Sequence, residues 1–440
     1  MIEQGITSRR LRIIFDKENR KGNSLYQFLN ENNLFIELKR KRRELISYRS
    51  HKDEKYILLK KNINYIETKL DKEVNIKLEQ ISERIKSGFD FVFQKRDVDG
   101  IPMFYLDKER SDNAEFYFLS KCISFDIKKK YNIKQSSRQM ITAQLVDFLS
   151  DKLPKDVVRL DVSHFFQQVN FDNVITSLEC DSMLPQYYFD FIRKIREEVK
   201  KIAPSYDGLP KGIGISSVLS EYYFNKNVKL TNSNIFFFAR FVDDIIVICH
   251  KGSGREIYKE YKDTLEKHNL PINMEKSKVI NDYHLPPKKF DFLGYNYSHD
   301  KNYSVPIVTL STKKMEKYRN KIQLSIDDFK RNKKRKSARR LLIARLKLIT
   351  RNVRLYSAKN NILAGVYFSN SLCTNIEPQL RELDKYLRDA LYLSFKDSKI
   401  KIFDKLKKQE ISFLSGYKNR KIYNISTQQI GKLSKIWKNA

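Results

Sequence analysis

The 440-residue chain carries 86 lysines and arginines against 53 aspartates and glutamates, a formal net charge of +33, with 41% hydrophobic and 12% aromatic residues. That composition excludes a disordered chain and is too long for one small core; with no run of ~18 apolar residues it also excludes a bilayer-spanning segment. So large a positive excess repels itself unless a polyanion offsets it, and nucleic acid is the usual polyanion.

The opening MIEQGITSRRLRIIF lacks the apolar centre of a signal peptide, so a cytoplasmic setting is expected. Cys122, Cys180, Cys249 and Cys373 show no CxxC spacing, and the six histidines no HExxH grouping. Neither a disulfide framework nor a zinc site is indicated. From about Ser24 to Lys86, apolar residues recur at three- and four-residue steps amid dense charge, which predicts amphipathic helices. FDFVFQKRDVDGIPMFYLD, residues 89–107, reads as a hairpin turning at Asp99-Gly100, with Lys95 and Arg96 at the end of its first strand. From about 111 to 310, short apolar strands (DVVRLDVSHFF, IFFFARF, DIIVICH) alternate with helical stretches. This predicts a sheet with helices packed on it. After Thr312 the text is helical and basic, densest in RNKKRKSARRLLIARLKLITRNVRL.

Candidate chemistry begins with RFVDDIIVIC, where Asp243 and Asp244 stand between two apolar runs. Alone, such a pair is more often turn chemistry than a site. Asp161, at the end of the strand VVRLD, supplies a third carboxylate. Three carboxylates converging on one point repel unless cations intervene, and two Mg²⁺ ions are the usual resolution for phosphoryl transfer. GLPKGIGISSVLSEYYF (208–224) is a glycine-rich loop entering a helix, suited to close approach of backbone to a ligand. LPINMEKSKVI offers Lys276 as a cation and proton donor, against the competing reading of one lysine among many. FDFLGYNY (290–297) reads as a hairpin with an aromatic face.

In chain order these are LD-x-S-x-F-F, G-x-P-x-G-x-x-x-S, F-V-D-D, N-x-x-K-S and F-L-G-Y. The series resembles palm motifs A to E of reverse transcriptases over about residues 157–297. Within them, KGIGISSVLSEYYF and RLKLITRNVRLYSAKNNILAGVYFSNSL resemble the prokaryotic abortive-infection and defence-associated enzymes. The narrower similarity is to the first (a) subunit of type-3 defence-associated reverse transcriptases.

The resemblance implies an α+β right-hand polymerase. Helical, basic fingers would occupy 1–150 and an α/β palm 151–310, built as an antiparallel sheet with helices on one face. An all-helical thumb-like region would occupy 311–440. It implies metal ligation by Asp161, Val162, Asp243 and Asp244, and catalysis by the three aspartates with Lys276. Phe166 matches the position under the incoming sugar, where a bulky ring leaves no room for a 2′-hydroxyl. Ser216 matches the serine after the motif B glycines. Lys211 stands where the retroviral type has a glutamine that contacts the nucleotide; a lysine cannot accept a hydrogen bond. Lys95, Arg96 and Arg138 are candidate triphosphate or template contacts, with solvated cations as the equal alternative.

The same resemblance implies two Mg²⁺ ions, dNTP substrates, an RNA template (a non-coding RNA by likeness to relatives), a DNA product, and anti-phage defence in a bacterial cytoplasm. A second reverse transcriptase subunit or an oligomer stays open. Two other readings stand beside it: a mobile-element enzyme of group II intron type, and a catalytically silent nucleic-acid scaffold. Against the first, no recognisable endonuclease segment, such as a Cys/His metal cluster, follows residue 310; against the second, all three carboxylates are present.

Overall fold

The computed structural model of the protein describes residues 5–20, 25–29, 32–46, 48, 54–98, 100–134, 137–151, 153–229, 232–285, 288–299, 306–332, 336–356, 361–395 and 411–437. Asp99 and the cations at 333–335 lie outside the described residues. The chain divides into two compact units, each gathered from separate stretches. One comprises Met1–Lys134, His164–Lys229 and His268–Leu270; the other comprises Gln135–Ser163, Leu230–Lys267 and Pro271–Ala440.

In the first unit, helices α1 (Ser8–Arg20), α2 (Asn32–Ile46) and α3 (Glu54–Ser87) form the basic N-terminal part. The 34-residue α3 buries Leu59, Ile63, Ile66, Leu70, Val74, Leu78, Ile81 and Ile85. Those three- and four-residue steps are the stripe of an amphipathic helix, as the sequence predicts. Strands β1 (Phe93–Val98) and β2 (Ile101–Leu106) pair antiparallel as the expected hairpin. Gly100, with φ +75°, takes the left-handed turn position that suits a residue without Cβ. Helices α4 (Asn113–Lys130), α6 (Phe165–Gln168), α7 (Phe171–Cys180), α8 (Gln186–Ile202) and α9 (Ser216–Asn227) complete this unit among the described residues.

The second unit starts with α5 (Arg138–Ser150), capped by the Ser137 hydroxyl, which accepts from the Met140 amide. Its central sheet has the order β4-β5-β3-β6, with β3 Lys155–Asp161, β4 Ile235–Phe241, β5 Asp244–His250 and β6 Lys278–Ile280, all antiparallel. Every residue of β3 is buried, which fits a central strand covered on both faces. Alternation along β4 sends Phe237 and Phe238 to opposite faces. The ring of Phe148 in α5 lies 5.0 Å from Phe237, and Tyr261 of α10 (Gly254–Lys267) lies 6.1 Å from Phe238. Helices therefore cover both faces of this sheet. The expectation of helices on one face is corrected: α5 and α10 each bring an apolar stripe, and one face cannot bury both.

A second sheet, β7 (Lys289–Phe292), β8 (Tyr295–Ser298) and β9 (Ile307–Leu310), includes the aromatic hairpin read from FLGY. One hydrophobic core runs from Ile246 and Ile248 through Phe292 and Tyr297. It continues to Leu346 of α12 (Lys336–Thr350) and Leu380 of α13 (Glu377–Phe395), with Ile322 of α11 (Thr312–Arg331) inside it. The expectation of an all-helical C-terminal region is also corrected. Strands β10 (Asn352–Tyr356), β11 (Asn361–Gly365) and β12 (Ile422–Ser426) form a three-stranded sheet there, with β10 and β12 parallel. The parallel pairing joins residues 70 apart in sequence (Asn352 with Ile422), so no local pattern announces it.

Candidate active site

Strand β3 runs antiparallel to β5 in a register that places Asp161 directly opposite Asp244. Like charges directly opposite each other destabilise a sheet, so this pairing needs compensation. The β4–β5 connection is a two-residue turn in which Val242 has φ +61°, a rare conformation for a β-branched residue. Arg240 Nη1 steadies that turn by donating to the Val242 carbonyl at 2.9 Å. The Val162 amide in turn donates to the Asp243 carbonyl at 3.0 Å, which ties the end of β3 to the turn. The Val162 side chain is hydrocarbon and buried, so its backbone carbonyl is the only group it could offer to a metal ion.

Two cations offset the carboxylates. Lys276 Nζ stands 3.0 Å from Asp161 Oδ1. Arg159, on the same face of β3 as Asp161, lies 3.7 Å from Asp244 through Nη2 and 2.7 Å from Asp291 through Nη1. Burial, together with the charges of Asp243 and Asp161, nevertheless pushes the Asp244 carboxyl up to about 6, against the pull of Arg159 and Lys276.

The loop carrying Lys276 is built by Asn273 and Ser277, which the sequence reading passed over although both lie in its N-x-x-K-S string. The Asn273 side-chain oxygen accepts from the amides of Glu275 and Lys276, at 3.1 and 3.3 Å. The Asn273 backbone amide donates to the Asp161 carbonyl at 2.7 Å, and the Ser277 hydroxyl accepts from the Asp161 amide at 3.1 Å. Both backbone groups of Asp161 are thus fixed by this loop.

The expectation that three carboxylates close on one point is not met as the side chains stand. Among the described residues, no three Asp, Glu, His or Cys side chains are grouped closely enough to hold a metal ion. The donors still suit a hard divalent cation. They are carboxylate oxygens crowded enough to raise one carboxyl, and one of them is already engaged by an ammonium.

Arg138 also belongs to this unit, not to the hairpin of Lys95 and Arg96 with which it was grouped. Its guanidinium sits 4.8 Å from the ring centroid of Phe241, the residue that ends β4.

In the first unit the remaining candidates gather on two elements. The Phe166 carbonyl accepts from the Leu209 amide at 2.8 Å, and the Phe104 amide donates to the Lys211 carbonyl at 2.7 Å. A Cβ on Gly212 (φ +106°) would stand 2.3 Å from the Phe104 carbonyl oxygen, so hairpin and loop meet only because that residue is glycine. Lys95 pairs in register with Phe104 and shares its face, whereas the Arg96 guanidinium lies 5.7 Å from the Tyr105 ring on the other. The buried Ser216 hydroxyl donates to the Pro210 carbonyl at 2.8 Å and pins the loop.

An aspartate ending the central strand, an aspartate pair at the adjoining turn and an attendant lysine thus stand together at one antiparallel sheet. Residues 119–297 match the family model described as "Reverse transcriptase (RNA-dependent DNA polymerase)". That stretch, which holds the three aspartates and Lys276, is therefore similar to the reverse transcriptase type of nucleotidyltransferase domain.

No curated protein matches the chain. Among solved structures, it is similar to telomerase from Candida albicans in complex with a TWJ fragment of telomeric RNA. The identity is 10% and the TM-score 0.37, over 74% of this chain and 62% of that one. Telomerase from Candida tropicalis matches with the same kind of fragment at 13% identity and TM-score 0.35, over 72% and 55%. An apo form truncated from its C-terminal domain matches at 12% and 0.34, over 47% and 53%. This chain thus spans between about half and three-fifths of the length of those chains.

Proposed function

We propose that this protein polymerises deoxynucleotides on an RNA template through the Asp161–Asp243–Asp244 site, in anti-phage defence in a bacterial cytoplasm. The observation that carries the polymerase reading is the register of Asp161 against Asp244, kept despite like-charge repulsion and offset by Lys276 and Arg159. Asp161, Asp243 and the Val162 carbonyl would hold Mg²⁺, with Asp244 shaping the field around them. When bound, the ions would neutralise charge on the attacking and leaving oxygens of the displacement. Lys276 holds a proton beside Asp161 and would deliver it to departing pyrophosphate. Phe166 would exclude a 2′-hydroxyl by clash and so favour dNTPs.

The defence setting, a non-coding RNA template and a second reverse transcriptase subunit rest on the motif resemblance. The net charge of +33 supports a polyanionic partner.

The test offers single labelled dNTPs with Mg²⁺ to protein purified with the RNA it retains, beside Asp243→Ala. Products are then treated with nuclease and protease. DNA made by the wild type and absent from the variant is the expected result. No incorporation by either protein, with RNA still bound, would favour the silent scaffold.

A further inference from the structure

Arg159 is a costly residue to place where it stands. It occupies the middle of a fully buried central strand, is 8% exposed, and its Nε has no hydrogen-bond partner among the described residues. An apolar side chain there would avoid burying a charge with one donor unpaired. What the guanidinium does reach is informative. Its closer contact, 2.7 Å, is Asp291 in β7; its longer one, 3.7 Å, is Asp244. Asp291 also has Lys278 at 3.9 Å, and Lys278 stands in register beside Arg159 on β6. Asp291 is thus the anchor and Asp244 the group acted upon.

We propose that Arg159 is a positioning residue which, anchored on Asp291, holds the Asp244 carboxylate back from metal ligation and leaves Asp161 and Asp243 as the ligands. This rests on the polymerase reading above and deepens it. The planar fork is essential, because two Nη atoms reach two carboxylates at once, which one ammonium cannot do. The arrangement links the FVDD turn to the FLGY hairpin through one side chain, so Asp291 matters to the metal site without touching it.

The test measures Mn²⁺ binding by electron paramagnetic resonance, a readout independent of turnover, on the full chain and on Arg159→Met, Arg159→Lys and Asp291→Asn. Urea unfolding and dNTP incorporation are followed in parallel. Release of Asp244 adds a carboxylate to the site. Arg159→Met is therefore expected to bind Mn²⁺ roughly tenfold more tightly while incorporating dNTPs at least roughly tenfold more slowly, a one-decade change in each constant. Arg159→Lys and Asp291→Asn should move the same way by less, and adding Asp244→Asn to Arg159→Met should return Mn²⁺ binding toward the wild-type value.

An Arg159→Lys protein with wild-type binding and rate means that net charge alone matters, and overturns the proposal. So does an Arg159→Met protein altered only in its urea midpoint. A wild-type protein that neither binds Mn²⁺ nor incorporates dNTPs overturns the polymerase reading itself, and this proposal with it.

Discussion

Lys276 Nζ stands 3.0 Å from Asp161 Oδ1, so the ammonium occupies a carboxylate that a metal ion would also claim. The lysine side chain is 43% exposed and that of the aspartate 8%, which makes the lysine the partner free to move. Lys276→Met should therefore lower the Mg²⁺ concentration at half-maximal rate, because a competitor is gone. It should also slow turnover by ~10²–10⁴-fold if its proton goes to the leaving group. Rates across a Mg²⁺ titration separate the two effects, and an unchanged turnover removes Lys276 from the chemistry.

Phe166 makes a prediction about sugar choice. With Phe166 proposed to lie beneath C2′, Phe166→Val should open space there and raise ribonucleotide use relative to deoxynucleotide use by ~10–200-fold, the range for a small change in pocket volume. Competition between labelled dGTP and GTP reads it. Unaltered selectivity would place the discrimination elsewhere.

Gly212 ties hairpin to loop. Gly212→Ala drives a Cβ into the Phe104 carbonyl and demands φ +106° of an L-residue. The expected outcome is a loss of ~1–3 kcal/mol, the scale of one strained backbone position, with faster hydrogen exchange at the Phe104 amide. Retained protection there would show that the contact is dispensable.

Two arginines of α12 separate fold from binding. Arg345 is buried, with Nη1 2.5 Å from Asp328 and Nε donating to the Leu433 carbonyl at 3.1 Å. Arg345→Ala leaves Asp328 without its partner and should cost ~3–5 kcal/mol in urea unfolding. Arg340 is exposed. Arg340→Ala should leave stability unchanged and, if α12 tracks nucleic acid, reduce the slope of log affinity against log salt by ~0.9.

Lys314 carries a pH dependence. Burial, with the nearby charge of Arg138, pushes its ammonium down to about 8, and its Nζ lies 4.2 Å from the Tyr295 ring centroid. Between about pH 8 and the ordinary value of 10.5, the unfolded chain holds a proton that the folded one has lost. Stability therefore rises with pH through that window. Lys314→Met should flatten the rise, followed as the urea midpoint against pH; equal slopes in both proteins would refute it.

Much of the site was legible because its residues lie in strings. Asp161, Asp243 and Lys276 were recognisable from their order, and the structure brings them onto one unit. Arg159 was hidden, since an arginine inside VVRLDV looks like any strand residue until register sets it beside Asp244 and Asp291. Arg345 was lost in a run of cations whose exposure only packing reveals. The C-terminal sheet was missed for a related reason: NVRLY and IYNIS are short, and their partnership spans too much chain for any window to see.

The two units interleave along the chain, and that order constrains how the protein can be made. The first unit acquires its last stretch, His268–Leu270, long after the preceding one has ended at Lys229. On a ribosome, the N-terminal 134 residues therefore emerge before the other stretches of their own unit have been made. A gene cut between Lys134 and Gln135 would yield two halves, neither holding all the parts of the first unit. Expression in pieces should thus give insoluble fragments that become soluble only when synthesised together.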